Sequence, residues 1–95
     1  MIKRIVKLTF QPDRVPEFMA IFQASCQKIR ASAGCKHMEL LQDAAAPNVM
    51  FTLSIWETEA DLDMYRKSEL FKTVWTQTKA LFADKPAAWS TLVVG

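Results

Sequence analysis

Apolar and polar residues alternate along four short stretches of the chain, which is the pattern of β-strands with one buried face. The four stretches are residues 2–10, 35–43, 49–57 and 88–94. In the first stretch the even-numbered positions form the apolar face, and Arg4 is the exception on it. We therefore expect four strands, with a cation in the apolar row of the first.

A helical period separates the first two strands. From about Val15 to Ser32, apolar residues recur at spacings of three and four, which predicts an amphipathic helix with one buried stripe. Asp13 stands where a side chain can cap the first turn, and Gly34 stands where a helix commonly ends. The prediction is a helix bounded by these two residues.

Two further helices are predicted between the third and fourth strands. Thr58 and Asp61 form a capping box that starts a short helix running to about Lys67. Ser68 can cap a second helix that continues to about Phe82. The segment that connects these two strands is therefore helical apart from short turns.

The order strand, helix, strand, strand, helices, strand predicts one α+β domain over residues 1–95, of the ferredoxin-like βαββαβ type with an antiparallel sheet. Helices cover one face of such a sheet. Strand three carries a fully apolar row on the face opposite Trp56, formed by Val49, Phe51, Leu53 and Ile55. If Trp56 faces the helices, that row has no cover within the subunit. We therefore expect a homodimer through the open sheet face, which makes the fold a dimeric α/β barrel.

Composition and charge narrow the classes of function. The 12 basic and 10 acidic residues give a net charge of +2 without a basic stripe, so no nucleic-acid partner is expected. No apolar run approaches the ~20 residues that span a membrane, so no membrane partner is expected either. One histidine and two cysteines, without the ligand spacing of a metal site, indicate no metal and fit a reduced, cytoplasmic protein.

Five short segments, each present once, stand in a characteristic order along most of the chain. They are Phe10-Gln11-Pro12-Asp13, Gly34-Cys35, Glu39-Leu40-Leu41-Gln42-Asp43, Ser54-Ile55-Trp56-Glu57-Thr58 and Ser68-Glu69-Leu70-Phe71. In this order and spacing the chain resembles the antibiotic biosynthesis monooxygenase family. The resemblance implies the dimeric α+β barrel fold. Characterised members of the family include cofactor-independent monooxygenases of quinols and polyketide phenols, and haem-degrading enzymes.

The haem-degrading branch of that family carries three marker residues: an Asn on strand one, a Trp at the end of strand three and a His after the Ser-x-x-Phe motif. Trp56 matches the Trp, whereas Val6 and Trp75 stand at the other two positions. Because an indole does not serve as an axial ligand of iron, haem degradation is not expected. The resemblance thus implies chemistry that needs no cofactor.

Five residues are candidates for binding a small aromatic substrate. Thr52, Ser54 and Trp56 alternate on one face of strand three. The resemblance places that face toward the helices that carry Tyr65 and Trp75. Small hydroxyl side chains beside aromatic rings are typical of a small-molecule pocket. For the two tryptophans, packing within the core is the alternative interpretation.

Two residues are candidate catalytic groups. His37 is the only histidine, and a neutral imidazole can take a proton from a phenol near neutral pH. Its alternative place is the surface or the dimer interface. Tyr65 can hydrogen-bond a bound quinol, or it can simply pack its ring beneath the helix.

These observations support two hypotheses of function. In the first, a small phenol or quinol reacts directly with molecular oxygen, and the protein is a cofactor-independent monooxygenase that orients the ring and excludes water. In the second, the same dimeric fold is a non-catalytic small-molecule-binding or signalling module. The family resemblance favours the first, and the lack of a strong general base favours the second.

Overall fold

A computed structural model describes all residues from 1 to 95, and its elements follow the predicted order. They are β1 (Ile2–Thr9), α1 (Val15–Arg30), β2 (Cys35–Gln42), β3 (Val49–Trp56), α2 (Glu59–Arg66), α3 (Glu69–Lys79) and β4 (Ala87–Thr91), with a 3₁₀ turn at Pro12–Arg14 before α1. None of the helices combines the length and the apolar character that crossing a membrane requires. Four strands and three helices in this order form the ferredoxin-like α+β fold.

The four strands form one antiparallel sheet in the order β2-β3-β1-β4. In the central pair, Arg4 of β1 lies opposite Ser54 of β3, and Leu8 lies opposite Met50. Residues opposite each other in an antiparallel pair point to the same face of the sheet. The even-numbered rows of β1 and β3 therefore form one continuous surface.

This surface packs against the helices and forms the core. Leu8, Phe10 and Met50 of the sheet region make one buried cluster with Phe18 of α1 and with Leu81. The ring of Phe10 is completely buried and stacks on Phe18, with 4.3 Å between ring centroids. Each such side chain stabilises the fold by roughly 1.5–3 kcal/mol through removal of its apolar surface from water.

Helices α2 and α3 begin at the predicted capping residues. The Thr58 hydroxyl accepts the backbone N–H of Asp61 at 3.1 Å, and the Ser68 hydroxyl accepts the N–H of Phe71 at 3.1 Å. Each bond satisfies one of the N–H groups that a first helical turn leaves without a partner. The two caps therefore fix where the chain enters the helices that cover the sheet.

Helix α1 begins at Val15 as predicted, but without the predicted cap. Asp13 does not cap it, because this residue lies inside the 3₁₀ turn that leads directly into the helix, and the N-cap Arg14 forms no side-chain capping bond. At the other end the helix stops at Arg30, and Gly34 turns the chain into β2 with a φ of 80°. A Cβ atom at Gly34 would collide with the side chain of Asp61, so this connection packs closely on the start of α2.

Strand β4 is shorter than the predicted 88–94 range and ends at Thr91. It pairs only with β1, where Thr91 lies opposite Lys3. Since Ile2 is the only residue of β1 that precedes Lys3, the pairing strand runs out at this point. The residues that follow Thr91, namely Leu92, Val93 and Val94, form no strand and are 66%, 66% and 97% exposed.

The face of the sheet away from the helices is apolar and uncovered within the chain. The register places Leu41 opposite Phe51, and it places Leu53 and Trp89 on either side of Ile5. Leu41 and Trp89 are 45% and 49% exposed, and the other three residues are half-buried. We call this surface, defined by these five residues, the open face.

Candidate functional site

A cavity of about 320 Å³ lies between the even-numbered rows of the sheet and the helices. This volume falls near the lower end of the roughly 300–1,000 Å³ that small-molecule sites occupy. Most of its wall is apolar and comprises Val6, Leu8, Phe18, Phe22, Ile29, Met38, Leu62, Tyr65, Phe71, Val74, Trp75, Ala87 and Ala88. Such a wall favours an apolar ligand, because binding removes the surfaces of both partners from water.

Strand β3 adds two hydroxyl groups to the wall. Thr52 and Ser54 both line the cavity, because alternate residues of a strand share a face. Ser54 is buried, and its Oγ accepts the indole Nε1–H of Trp56 at 2.9 Å. The hydroxyl proton of Ser54 is donated to no acceptor in the chain, so it is free to bond a ligand oxygen.

Trp56 lies behind the wall and is not part of it. Its side chain is completely buried, and its ring stacks on Tyr65 with centroids 4.9 Å apart and an interplanar angle of 24°. Tyr65 lines the cavity and Trp56 does not. This corrects the expectation that Trp56 touches the ligand directly: the ring from α2 covers it, and it supports both Tyr65 and Ser54 from behind.

Tyr65 presents its ring to the cavity from α2 and meets Phe71 edge-on at 5.3 Å. Burial raises the pKa of its phenol to about 12, with a smaller contribution from the nearby Cys35 thiol. The phenol is therefore protonated at neutral pH and can donate a hydrogen bond to a ligand. A hydrogen bond to a bound quinol is the role expected of Tyr65 from the sequence, and a protonated phenol is compatible with it.

Helix α3 contributes one ring and one hydroxyl. Trp75 lines the cavity and stacks on Phe71 with centroids 5.9 Å apart and planes 9° apart. Thr78 also lines the cavity, and its Oγ1 atom is buried without any hydrogen-bond partner. An unsatisfied buried hydroxyl costs about 1–3 kcal/mol, and a ligand oxygen in the cavity can remove that cost.

Residues 1–76 match the sequence model of a family described as antibiotic biosynthesis monooxygenase. The chain belongs to this family. Among curated proteins, no relative matches the sequence.

Solved structures similar to this family member share its fold at low sequence identity. One described as an antibiotic biosynthesis monooxygenase has a TM-score of 0.93 at 19% identity, with all of both chains covered. A conserved protein from Methanosarcina mazei Go1 has a TM-score of 0.91 at 21% identity, covering 95% of this chain and 89% of that one. A protein from Mycobacterium tuberculosis has a TM-score of 0.90 at 19% identity, covering 99% and 95%. At these identities the likeness establishes the fold and leaves function to the site itself.

In this family member, His37 lies on the face of the sheet away from the cavity. It sits opposite Ile55 in the register of β2 with β3, and it is exposed. Its Nε2 atom is 3.5 Å from an Oε1 atom of Glu39 on the same strand. Because the sheet separates the imidazole from the cavity, His37 is not a general base for a ligand bound within the same subunit. The structure thus places His37 at the surface, which was its alternative location, and apart from the other candidate residues.

Two arginines that were not among the candidates also line the cavity. Arg4 projects from the inward row of β1 beside Ser54, and Arg66 stands in the last turn of α2. Burial lowers the pKa of Arg4, and the positive charge of Arg66 lowers it further. The sequence carried the signal for the first of them, since Arg4 is the exception in an otherwise apolar row.

The remaining titratable groups do not extend the chemistry of the cavity. Cys26 and Cys35 are free thiols, and burial raises the pKa of Cys35, which disfavours a reactive thiolate. No three histidine, cysteine or acidic side chains lie close enough together to hold a metal ion. The wall contains no carboxylate and no imidazole. The site can therefore bind, orient and hydrogen-bond a molecule and stabilise negative charge on it, but it contains no strong base.

Proposed function

We propose that this protein is a cofactor-independent monooxygenase that acts on a small aromatic phenol or quinol with molecular oxygen. The observation that carries the proposal is the cavity itself. Its aromatic wall, with the rings of Tyr65 and Trp75, is interrupted by hydroxyl groups at Thr52, Ser54 and Thr78. Flat apolar surfaces with a few fixed polar groups suit a flat aromatic ring that carries oxygen atoms.

The reaction needs no electrons from outside the substrate. Hydroquinone, C₆H₆O₂, and O₂ give hydroxyquinone, C₆H₄O₃, and one H₂O when the oxygen enters at a free ring position. One oxygen atom enters the ring, the other leaves as water, and the quinol supplies all four electrons. The protein has to hold the ring, favour its phenolate form and keep bulk water away from the reacting carbon.

The residues of the wall fit these tasks. Tyr65 and Trp75 hold the ring between aromatic surfaces, and the Ser54 hydroxyl can donate its free proton to a ring oxygen. The guanidinium groups of Arg4 and Arg66 stabilise negative charge on the ligand, which lowers the pKa of a bound phenol without requiring a base. The phenolate so formed is the electron-rich species that reacts with oxygen.

Oxygen uptake tests the proposal. A panel of benzene and naphthalene hydroquinones is oxidised slowly in buffer, and we expect the protein to accelerate the uptake for the members that fit the cavity. With isotopically labelled dioxygen, one labelled atom should enter the product and one should enter water. The variant Trp75→Ala, measured beside the wild type, should lose most of the acceleration. Uptake equal to that in buffer for every compound contradicts the enzyme proposal.

A non-catalytic ligand-binding module is the second candidate function. The wall of the cavity contains no carboxylate or imidazole to remove a proton, and this observation favours it. A module would bind the same aromatic compounds in calorimetry and leave the oxygen uptake at the rate of buffer. The two measurements together distinguish an enzyme from a module.

A further inference from the structure

Two guanidinium groups border a cavity whose wall is otherwise apolar or hydroxyl-bearing. Arg4 comes from β1 and is half-buried, whereas Arg66 comes from α2 and is more exposed. A cation beside apolar surface loses part of its hydration, which costs free energy unless an opposite charge or hydrogen-bond acceptors replace the lost water. Arg4 and Arg66 therefore need such partners, either from the chain or from a ligand.

Neither guanidinium is neutralised within the chain. The four ion pairs of the structure involve neither Arg4 nor Arg66. Arg4 donates one N–H, from Nη1 to the Ser90 hydroxyl at 3.0 Å. The other arginine side-chain hydrogen bonds belong to Arg14 and Arg30, so Arg66 forms none. Most of the ten N–H groups that two guanidinium groups offer are therefore free for a ligand.

The two charges also repel each other. Arg66 acts on Arg4 as a like charge, and Asp63, the one acid that offsets it, has the smallest of the three effects and is exposed on α2. An anion placed between two guanidinium groups removes this repulsion and occupies their free N–H groups. A carboxylate matches the fork of N–H groups in a guanidinium geometrically, with two parallel hydrogen bonds.

A second polar position lies away from the arginines. Thr78 has a buried hydroxyl without a partner, and it stands one helical turn before Leu81, which packs with Leu8. On β1, Leu8 follows Arg4 by four residues, which is roughly 13 Å along a strand. The cavity thus offers cations near one end, an unpaired hydroxyl toward the other and apolar surface between them.

We propose that the molecule bound here is an aromatic carboxylate whose acid group lies between Arg4 and Arg66, with a hydroxyl or keto oxygen at its other end near Thr78. This inference rests on the proposed function only in placing an aromatic ligand in this cavity. The apolar wall covers the ring, and the arginines select the ligands that carry negative charge. Specificity for an acid therefore comes from two residues on different elements, β1 and α2.

Calorimetry with a matched pair of compounds tests the proposal. The probes are 6-hydroxy-2-naphthoate and 2-naphthol, which share ring and hydroxyl and differ in the carboxylate. We expect the naphthoate to bind at least about tenfold more tightly to the wild type, because charge-assisted hydrogen bonds are the strong ones. The variants Arg4→Gln and Arg66→Gln should each lose most of this preference, because the carboxylate of the naphthoate loses a charged partner.

A third variant controls for net charge. Arg14→Gln removes one positive charge at an exposed site outside the cavity wall, and it should leave both affinities unchanged. Circular dichroism of each variant checks that it folds. Because Arg66 is exposed, Arg66→Gln should fold and can carry the test alone if Arg4→Gln is unstable. Raising the salt concentration should reduce the preference for the naphthoate and leave 2-naphthol binding unaffected.

Three outcomes overturn the inference. The first is equal affinity of the wild type for the two compounds, and the second is unchanged naphthoate binding in Arg66→Gln. The third is failure of both compounds to bind. It would mean that this cavity does not take an aromatic ligand, and it would overturn the inference together with the proposed site. Tight, arginine-dependent binding of the naphthoate with no oxygen uptake from any quinol supports the inference and contradicts only the monooxygenase proposal.

Discussion

Tyr65 is the only tyrosine of the chain, and its phenol borders the cavity with no hydrogen bond to the protein. A single titrating phenol makes its ionisation directly observable. Because burial raises its pKa, the protonated form is favoured in the folded chain. The phenol therefore keeps, over the whole physiological pH range, a proton that it can donate to an acceptor.

The ultraviolet absorbance of the phenolate should show the Tyr65 titration with a midpoint near 12 in the folded protein. In urea the midpoint should fall to about 10, the value of an exposed tyrosine. The folded pKa is the higher one, so the contribution of this group to stability is complete below about pH 10 and is lost as the pH rises toward 12. A native midpoint equal to that in urea would show that the phenol is not buried.

Two tryptophans near the cavity should respond differently to truncation. Trp56 is completely buried, so Trp56→Ala should lower the free energy of unfolding by about 3–5 kcal/mol. Trp75 is half-buried in the wall, so Trp75→Ala should weaken the binding of 2-naphthol by about 1–3 kcal/mol, with a smaller loss of stability. Urea unfolding and calorimetry measure the two effects. Equal effects of both variants on both measurements would contradict the distinction between support and wall.

The sequence predicted which face of the sheet each of these side chains occupies. It did not predict which of them reach the cavity. Alternation along β3 placed Thr52, Ser54 and Trp56 on the helix side, as the structure has them. Whether a ring on that face reaches the cavity depends on Tyr65, which arrives from α2, and no local pattern encodes that contact. The place of Arg4 in the cavity wall was missed for a related reason. Its role there depends on a second cation, Arg66, which α2 contributes.

At the scale of elements, the connection from α1 to β2 depends on one glycine. Gly34 has a φ of 80°, and a Cβ atom there would strike Asp61 in the first turn of α2. Both effects act in the same direction, because an alanine at this position strains the backbone and pushes the cap of α2 away. The connection thus couples the end of α1 to the start of the helix that carries Tyr65.

Gly34→Ala should lower the free energy of unfolding by more than about 1 kcal/mol in urea denaturation. The matched control is Gly95→Ala, since nothing lies within 4 Å of a Cβ atom at that position, and it should leave stability unchanged. Equal stability of the two variants would mean that the connection can relax without cost.

The order of elements was predictable, and their ends were predictable only where a local signal sets them. Thr58 and Ser68 cap α2 and α3 as expected, since a hydroxyl three residues before a free N–H is a local signal. The predicted cap of α1 and the predicted end of β4 were wrong because they depend on other segments. The 3₁₀ turn takes up Asp13, and β4 stops where β1 has almost no further residues to pair with.

At the scale of the whole molecule, the open face is an apolar surface that is left uncovered within the chain. The residues of this face lie on all four strands of the sheet and form an apolar surface that no helix covers: Ile5, Leu41, Phe51, Leu53 and Trp89. A second copy presents the same surface, so a twofold arrangement covers both faces at once. We propose that the chain forms a homodimer through the open face.

Sedimentation at micromolar concentration should give the mass of two subunits. Leu53→Glu should produce monomers or unfolded protein, because it places a carboxylate in the centre of the proposed interface. The control is Met64→Glu on α2, where the side chain is 71% exposed, and it should leave the dimer intact. A monomeric wild type would leave the open face without the proposed partner.

The stacking of Tyr65 on Trp56 also has an optical consequence. At 4.9 Å between ring centroids, light absorbed by the phenol passes to the indole before the phenol can emit. The folded protein therefore emits as a tryptophan protein, and the tyrosine band appears only when the two rings separate. Tyrosine emission therefore reports, without any label, unfolding that carries Tyr65 of α2 away from Trp56 of β3 and from the other two tryptophans.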